Sequence, residues 1–170
     1  MIKPHTRLLA LFCFVALVGY AGRSSHAEPT LVTESYMIPS RDPGIQLYVR
    51  NKRPDGMTQF SGEKTLLYVH GSSQASSSTF DLPLDGVSWM DAIAQRGYDV
   101  YLVDLRGYGG STRPPEMEKP AAESPPIVRT DVAVKDVGAA VDHILARRGL
   151  ANLNLMGWSW GTAIMGRYAT

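Results

Sequence analysis

Cysteine occurs once in 170 residues, at Cys13. That position lies within a leader-like N-terminus, so the chain after it carries no thiol. Disulfides, thiol catalysis and cysteine metal sites are thereby excluded. No internal repeat appears at the usual structural periods. No block of basic residues suggests nucleic acid. A last absence concerns the C-terminal end, where none of the eleven residues after Ser159 is Asp, Glu or His.

What is present begins with that leader. Lys3, His5 and Arg7 precede an apolar run from Leu8 to Ala21, and the small-x-small triplet Ser25-His26-Ala27 follows. This order describes a secretory signal peptide over residues 1–27, cleaved after Ala27, for a secreted or periplasmic protein. An uncleaved anchor is the alternative, but fourteen apolar residues fall short of the roughly 20 that span a bilayer. No stable membrane span is expected after cleavage. Removing Lys3, Arg7 and Arg23 from the 17 Lys and Arg leaves 14 against 16 acids, a net charge of −2. Residues 28–170 suffice for one domain with a core.

Two β-like stretches, 31–38 and 45–50, flank the turn from Pro39 to Gly44 and predict an antiparallel hairpin. Thr65 to Val69 and Val100 to Val103 are short continuous apolar runs, the pattern of strands buried on both faces. A helix is expected from about Ser88 to Arg96, with Trp89, Ala92 and Ile93 on one side and Gly97 as its cap. Ser111 to Pro126 holds five prolines and reads as a loop. The strongest helical pattern runs from Asp131 to Arg148. Val134, Val137, Val141, Ile144 and Leu145 share one face, Asp131 and Asp136 suit the dipole, and Gly149 ends it. His143 falls off that face and should be solvated. A last strand, 152–156, leads into Gly157-Trp158-Ser159-Trp160-Gly161. From the third strand onward, strands and helices alternate, which implies a parallel sheet wound with helices on both faces.

Sites in such sheets form at the carboxyl ends of strands. His70, Asp104 and Ser159 each follow a strand directly. G-x-S-x-G between a strand and a helix is a sharp turn that exposes its serine as a nucleophile. Gly157 and Gly161 are small because strand and helix backbones approach closely there. Ser159 should be strained, with its hydroxyl exposed. Acyl transfer also needs two N–H donors for the developing oxyanion. Candidates are the amides of Trp160 and of Ser72 in the loop opened by His70-Gly71, with Ser73 as the other possible register. Asp104, with Arg106 two residues on, reads as an internal bracket shaping a glycine-rich loop. Trp158 and Trp160 fit equally well as pocket lining or as packing.

His70-Gly71, the loop from Asp104 through Arg106 to Ser111, and Gly157-x-Ser-x-Gly161 appear in that order on those strand ends. The set resembles the α/β-hydrolase fold family, over residues 31–170. The resemblance implies an α/β fold: a mostly parallel doubly wound sheet with an N-terminal antiparallel hairpin, here covering the first half of that fold. It implies Ser159 as nucleophile, the Ser72 and Trp160 amides as oxyanion hole, and an ester-like or acyl small-molecule substrate with no cofactor or metal. The family orders its triad as serine, acid, histidine, so the acid and histidine are expected downstream of Thr170. Serine at the elbow argues against branches using a carboxylate nucleophile, such as dehalogenases and epoxide hydrolases. The competing reading is a truncated, non-catalytic homologue acting as a binding module or inactive fragment.

Overall fold

The computed structural model describes residues 28–170, so the signal-peptide reading of residues 1–27 lies outside the described residues. Strands β1 (Leu31–Pro39) and β2 (Gln46–Pro54) form the antiparallel hairpin, paired from Leu31↔Pro54 to Pro39↔Gln46. β3 (Thr65–Val69), β4 (Asp99–Val103) and β5 (Asn154–Gly157) complete a five-stranded sheet of order β1-β2-β4-β3-β5. β2 joins β4 antiparallel, while β3 pairs parallel with β4 on one side and β5 on the other. The parallel part of the sheet therefore carries the carboxyl ends on which the candidate motifs sit.

Period-two alternation divides the buried strands between two cores. Leu66, Tyr68, Val100 and Leu102 point to one face and meet Phe80, Met90 and Ala94. Leu67, Val69, Tyr101 and Val103 point to the other and meet Val137, Val141, Ile144 and Ile164. Helix α1 (Trp89–Ala94) covers the first face, and α2 (Thr130–Arg148) with α3 (Trp160–Ala169) covers the second. Continuous apolar runs were the right signature for strands covered on both sides. Gly149 caps α2 in the left-handed conformation at φ +65, where a Cβ would be strained.

Three expectations are corrected. The inner face of α1 is Met90 and Ala94, an i, i+4 pair, with Ile93 half-buried against the same core, whereas Trp89 turns outward at 52% exposure. Ser88 caps this helix through a reciprocal capping box with Asp91, which sets the helix rotation. Asp136 is fully buried, held by Arg106 and Ser40 rather than serving the dipole. His143 is half-buried against Tyr36, ring centroids 5.3 Å apart, because β1 extends alongside α2. The structure also contains a two-residue turn at Asp85-Gly86, φ +53 and +85, closed by Leu84 and Val87. Asp-Gly between apolar residues is a sequence signal for this turn. The proline-rich segment 111–126 is mainly loop, with short 3-10 turns at Pro115–Glu118 and Ala121–Glu123.

Candidate functional site

Ser159 sits between β5 and α3 with φ +52 and ψ −118, a backbone region that side-chain-bearing residues avoid. The turn is closed by Trp158 N–H donating to the Val69 carbonyl at 3.1 Å and Gly161 N–H to the Trp158 carbonyl at 2.8 Å. Such strain persists only where the surroundings over-determine it, and here they do. A Cβ on Gly157 would lie 2.5 Å from Met165 Cε and 2.7 Å from the Gly161 carbonyl carbon. One on Gly161 would run into the Val69 and His70 carbonyl oxygens. Ser159 itself is exposed, and among the described residues its hydroxyl makes no hydrogen bond.

The loop after β3 lies directly against this elbow. A Cβ on Gly71 would be 3.1 Å from Ser159 Cβ and 3.2 Å from the Trp158 carbonyl oxygen. His70, 1% exposed, holds the loop: its Nδ1 meets the Gly71 carbonyl at 2.6 Å and its Nε2 meets Leu105 N–H at 3.0 Å. An acceptor Nε2 makes this the neutral Nδ1–H tautomer. Burial pushes the imidazole below its ordinary value of 6.5, against a smaller opposing effect of the Gly71 carbonyl and Asp104. The ring packs on Tyr108 at 4.5 Å, and the Tyr108 hydroxyl donates to the Ser72 carbonyl at 2.6 Å. Both ring nitrogens are thus committed to the backbone.

Asp104 and Arg106 are both buried but do not pair with each other. Asp104 accepts from Ser77 N–H and hydroxyl at 2.9 and 2.7 Å and from Gly110 N–H at 3.1 Å. Arg106 reaches across to Asp136 at 2.6 Å and Asp42 at 2.7 Å. The bracket is two clamps, one tying the β4 loop to the segment after β3 and one tying it to α2. The two tryptophans separate. Trp158, 65% exposed, lines a cavity of about 360 Å³ shared with Ser159, Gly71 and Ser72. Trp160 packs against the larger core and donates its indole N–H to Thr130 Oγ1 at 3.1 Å.

Sequence reasoning missed the part of that cavity's lining formed by Phe80 and Trp89. The signal lay in Asp85-Gly86, whose turn brings Trp89 back towards Phe80. Among the described residues no group of three or more His, Cys, Asp or Glu is placed to hold a metal ion. Nor does any helix there have the length and apolarity to cross a membrane.

The sequence model described as alpha/beta hydrolase fold matches residues 64–170. The chain belongs to this family. Within the hydrolase fold its similarities are to fragments of longer proteins. It is 31% identical over 98 residues to bifunctional epoxide hydrolase 2 of Sus scrofa, covering 56% of this chain but 16% of that protein. Its fold is similar to a CIB-like hydrolase from Thermoplasma acidophilum (TM-score 0.55, 18% identity, 82% of this chain and 57% of the other). It is also similar to brefeldin A esterase, a bacterial homologue of human hormone sensitive lipase (TM-score 0.52, 21% identity, 85% and 39%). The chain therefore spans well under two thirds of the length of each.

Proposed function

We propose that this chain carries the nucleophile and oxyanion hole of a serine hydrolase acting on ester-like or related acyl bonds. The observation that carries the reading is Ser159: a non-glycine residue at positive φ, wedged between two obligatory glycines, with its hydroxyl exposed and, among the described residues, unbonded. In the reaction Ser159 Oγ attacks the carbonyl carbon and gives its proton to a base. The tetrahedral oxyanion then collapses, expelling an alcohol that takes that proton, and water releases the acid from the acyl-enzyme. Two amides are favoured for the oxyanion. In a trans peptide, N–H points opposite to the preceding C=O. The Gly71 carbonyl turns towards His70, which directs the Ser72 N–H away from it. The Trp160 N–H opens α3 and, as a first-turn amide, has no partner within the helix.

The base and its orienting acid come from outside the described residues in the whole protein. His70 uses both nitrogens in the backbone. His143 packs with a tilted ring against Tyr36 of β1, at the sheet edge opposite β5. Four strand spacings, about 19 Å, separate those edges. An acyl rather than an epoxide substrate follows from the nucleophile. A serine opening an epoxide would form an ether, which water does not cleave, whereas an acyl-serine ester has a hydrolytic exit. Residues 1–27 are proposed to export the protein and to be removed after Ala27. The test of the nucleophile is fluorophosphonate labelling of the intact protein: labelling should be lost in Ser159→Ala, and labelling that survives would place the nucleophile elsewhere.

A further inference from the structure

The cavity beside Ser159 has a chemistry of its own. At about 360 Å³ it lies at the small end of ligand sites, roughly 300–1,000 Å³. That volume suits one compact group and not a long acyl chain. One wall is an aromatic ladder in which Tyr68 and Phe80 stack at 4.1 Å with planes 5° apart, and Phe80 meets Trp89 edge-on at 5.6 Å. Trp158 lines the cavity beside Ser159. Among the described residues, none of the lining side chains is Asp, Glu, Lys, Arg or His. A charged group placed there would lose water and gain no counter-charge.

The ladder is also held rigidly. Trp89 is the first residue of α1, directly after the Ser88 cap, and Ser88 Oγ donates to buried Asp81 at 2.7 Å. Asp81 is fixed in turn by Arg50 and Lys52, each at 2.6 Å. A wall anchored by a partly buried ion network loses little freedom when a ligand docks.

We infer that this cavity selects substrates whose scissile carbonyl bears a neutral aryl group, and rejects those bearing a charged one. The inference rests on the Ser159 reading only for where the carbonyl sits. Flat rings gain offset or edge-on contacts with Phe80 and Trp89 that saturated rings of equal size lack.

The experiment measures binding of three unreactive ketones to the intact protein by ligand-observed NMR: acetophenone, cyclohexyl methyl ketone and 4-acetylbenzoate. Acetophenone should bind about two- to tenfold more tightly than the cyclohexyl analogue. The carboxylate should bind at least about a hundredfold more weakly than acetophenone. Trp89→Ala, a half-exposed position, should erase the preference for aryl over cyclohexyl, and Trp89→Phe should restore most of it. Equal binding of all three ketones, or an aryl preference unchanged in Trp89→Ala, would overturn the inference. Fluorophosphonate labelling that survives Ser159→Ala, with Trp89-dependent aryl binding present, would sink the nucleophile reading alone; labelling lost in Ser159→Ala, with no Trp89-dependent aryl preference, would sink the pocket alone.

Discussion

The loops after β4 and β5 look alike as sequences: each leaves a parallel strand, is rich in glycine and carries a polar residue at the strand's end. Their structures differ in one respect that separates scaffold from chemistry. In the β4 loop every prominent polar side chain is used internally. Asp104 accepts three hydrogen bonds, Arg106 binds two carboxylates, and the Ser111 hydroxyl accepts from Tyr48 N–H. At the β5 elbow the Ser159 hydroxyl is left with no hydrogen-bond partner among the described residues, and the closely packed turn holds it there against the backbone strain. A polar group is available for reaction only where the fold has not already satisfied it.

The largest test of that contrast is catalytic. In the intact protein Ser159→Ala should lower ester turnover by about a millionfold, as loss of a triad nucleophile does, while the melting temperature stays nearly level, since alanine keeps the Cβ at this positive φ. Turnover retained within a few-fold would end the comparison. In the β4 loop the effect should be on stability. Asp136→Ala leaves the Arg106 guanidinium buried with Asp42 as its remaining acid and should cost about 3–5 kcal/mol in denaturant unfolding. A cost below about 1 kcal/mol would show the clamp to be dispensable.

The elbow glycines sharpen the contrast on a smaller scale. Gly161→Ala drives a methyl into backbone carbonyls that cannot yield, and about 2–3 kcal/mol is expected. Gly157→Ala meets the flexible end of Met165 as well as backbone, and about 1–2 kcal/mol is expected. Equal costs measured by thermal melting would mean that the approach of α3 to the Val69–His70 backbone is looser than it looks.

Smaller again is the pH dependence. Burial depresses His70 in the folded state, so below its ordinary value of 6.5 the unfolded chain binds more protons than the folded one. Its contribution is therefore fully present above about pH 7 and is lost as pH falls through 6.5 towards the folded value. His143, also depressed by burial, acts in the same direction. Melting temperature measured from pH 7.5 to 5 should decline, and His70→Gln should flatten the decline. A curve of unchanged slope in the variant would place the proton uptake elsewhere. Finally, mass spectrometry of the exported protein should find Glu28 at the N-terminus, and a full-length chain in membranes would favour an anchor instead.

Much of this architecture is legible in the residues. Leu66–Val69 and Val100–Val103 are continuous apolar runs because both faces of those strands are covered, and Gly149 marks the end of α2 because only glycine enters the left-handed region cheaply. Ser159 is legible for a similar reason: the strand-to-helix turn tolerates only small residues two positions to either side, so the requirement is written locally. Those features depend on the chain within a few residues of itself. What tertiary structure decided depends on partners distant in sequence. Asp136 reads as a helix-dipole acid until Arg106, 30 residues away, is seen to bury it. Asp104 and Arg106 stand two residues apart yet bind different elements. Trp89 reads as core until the Ser88 cap rotates it outward, and Trp158 and Trp160 are indistinguishable until one meets the cavity and the other Thr130. Local sterics constrain each residue through its neighbours in the chain, whereas charge pairing and cavity walls exist only once separate elements have been brought together.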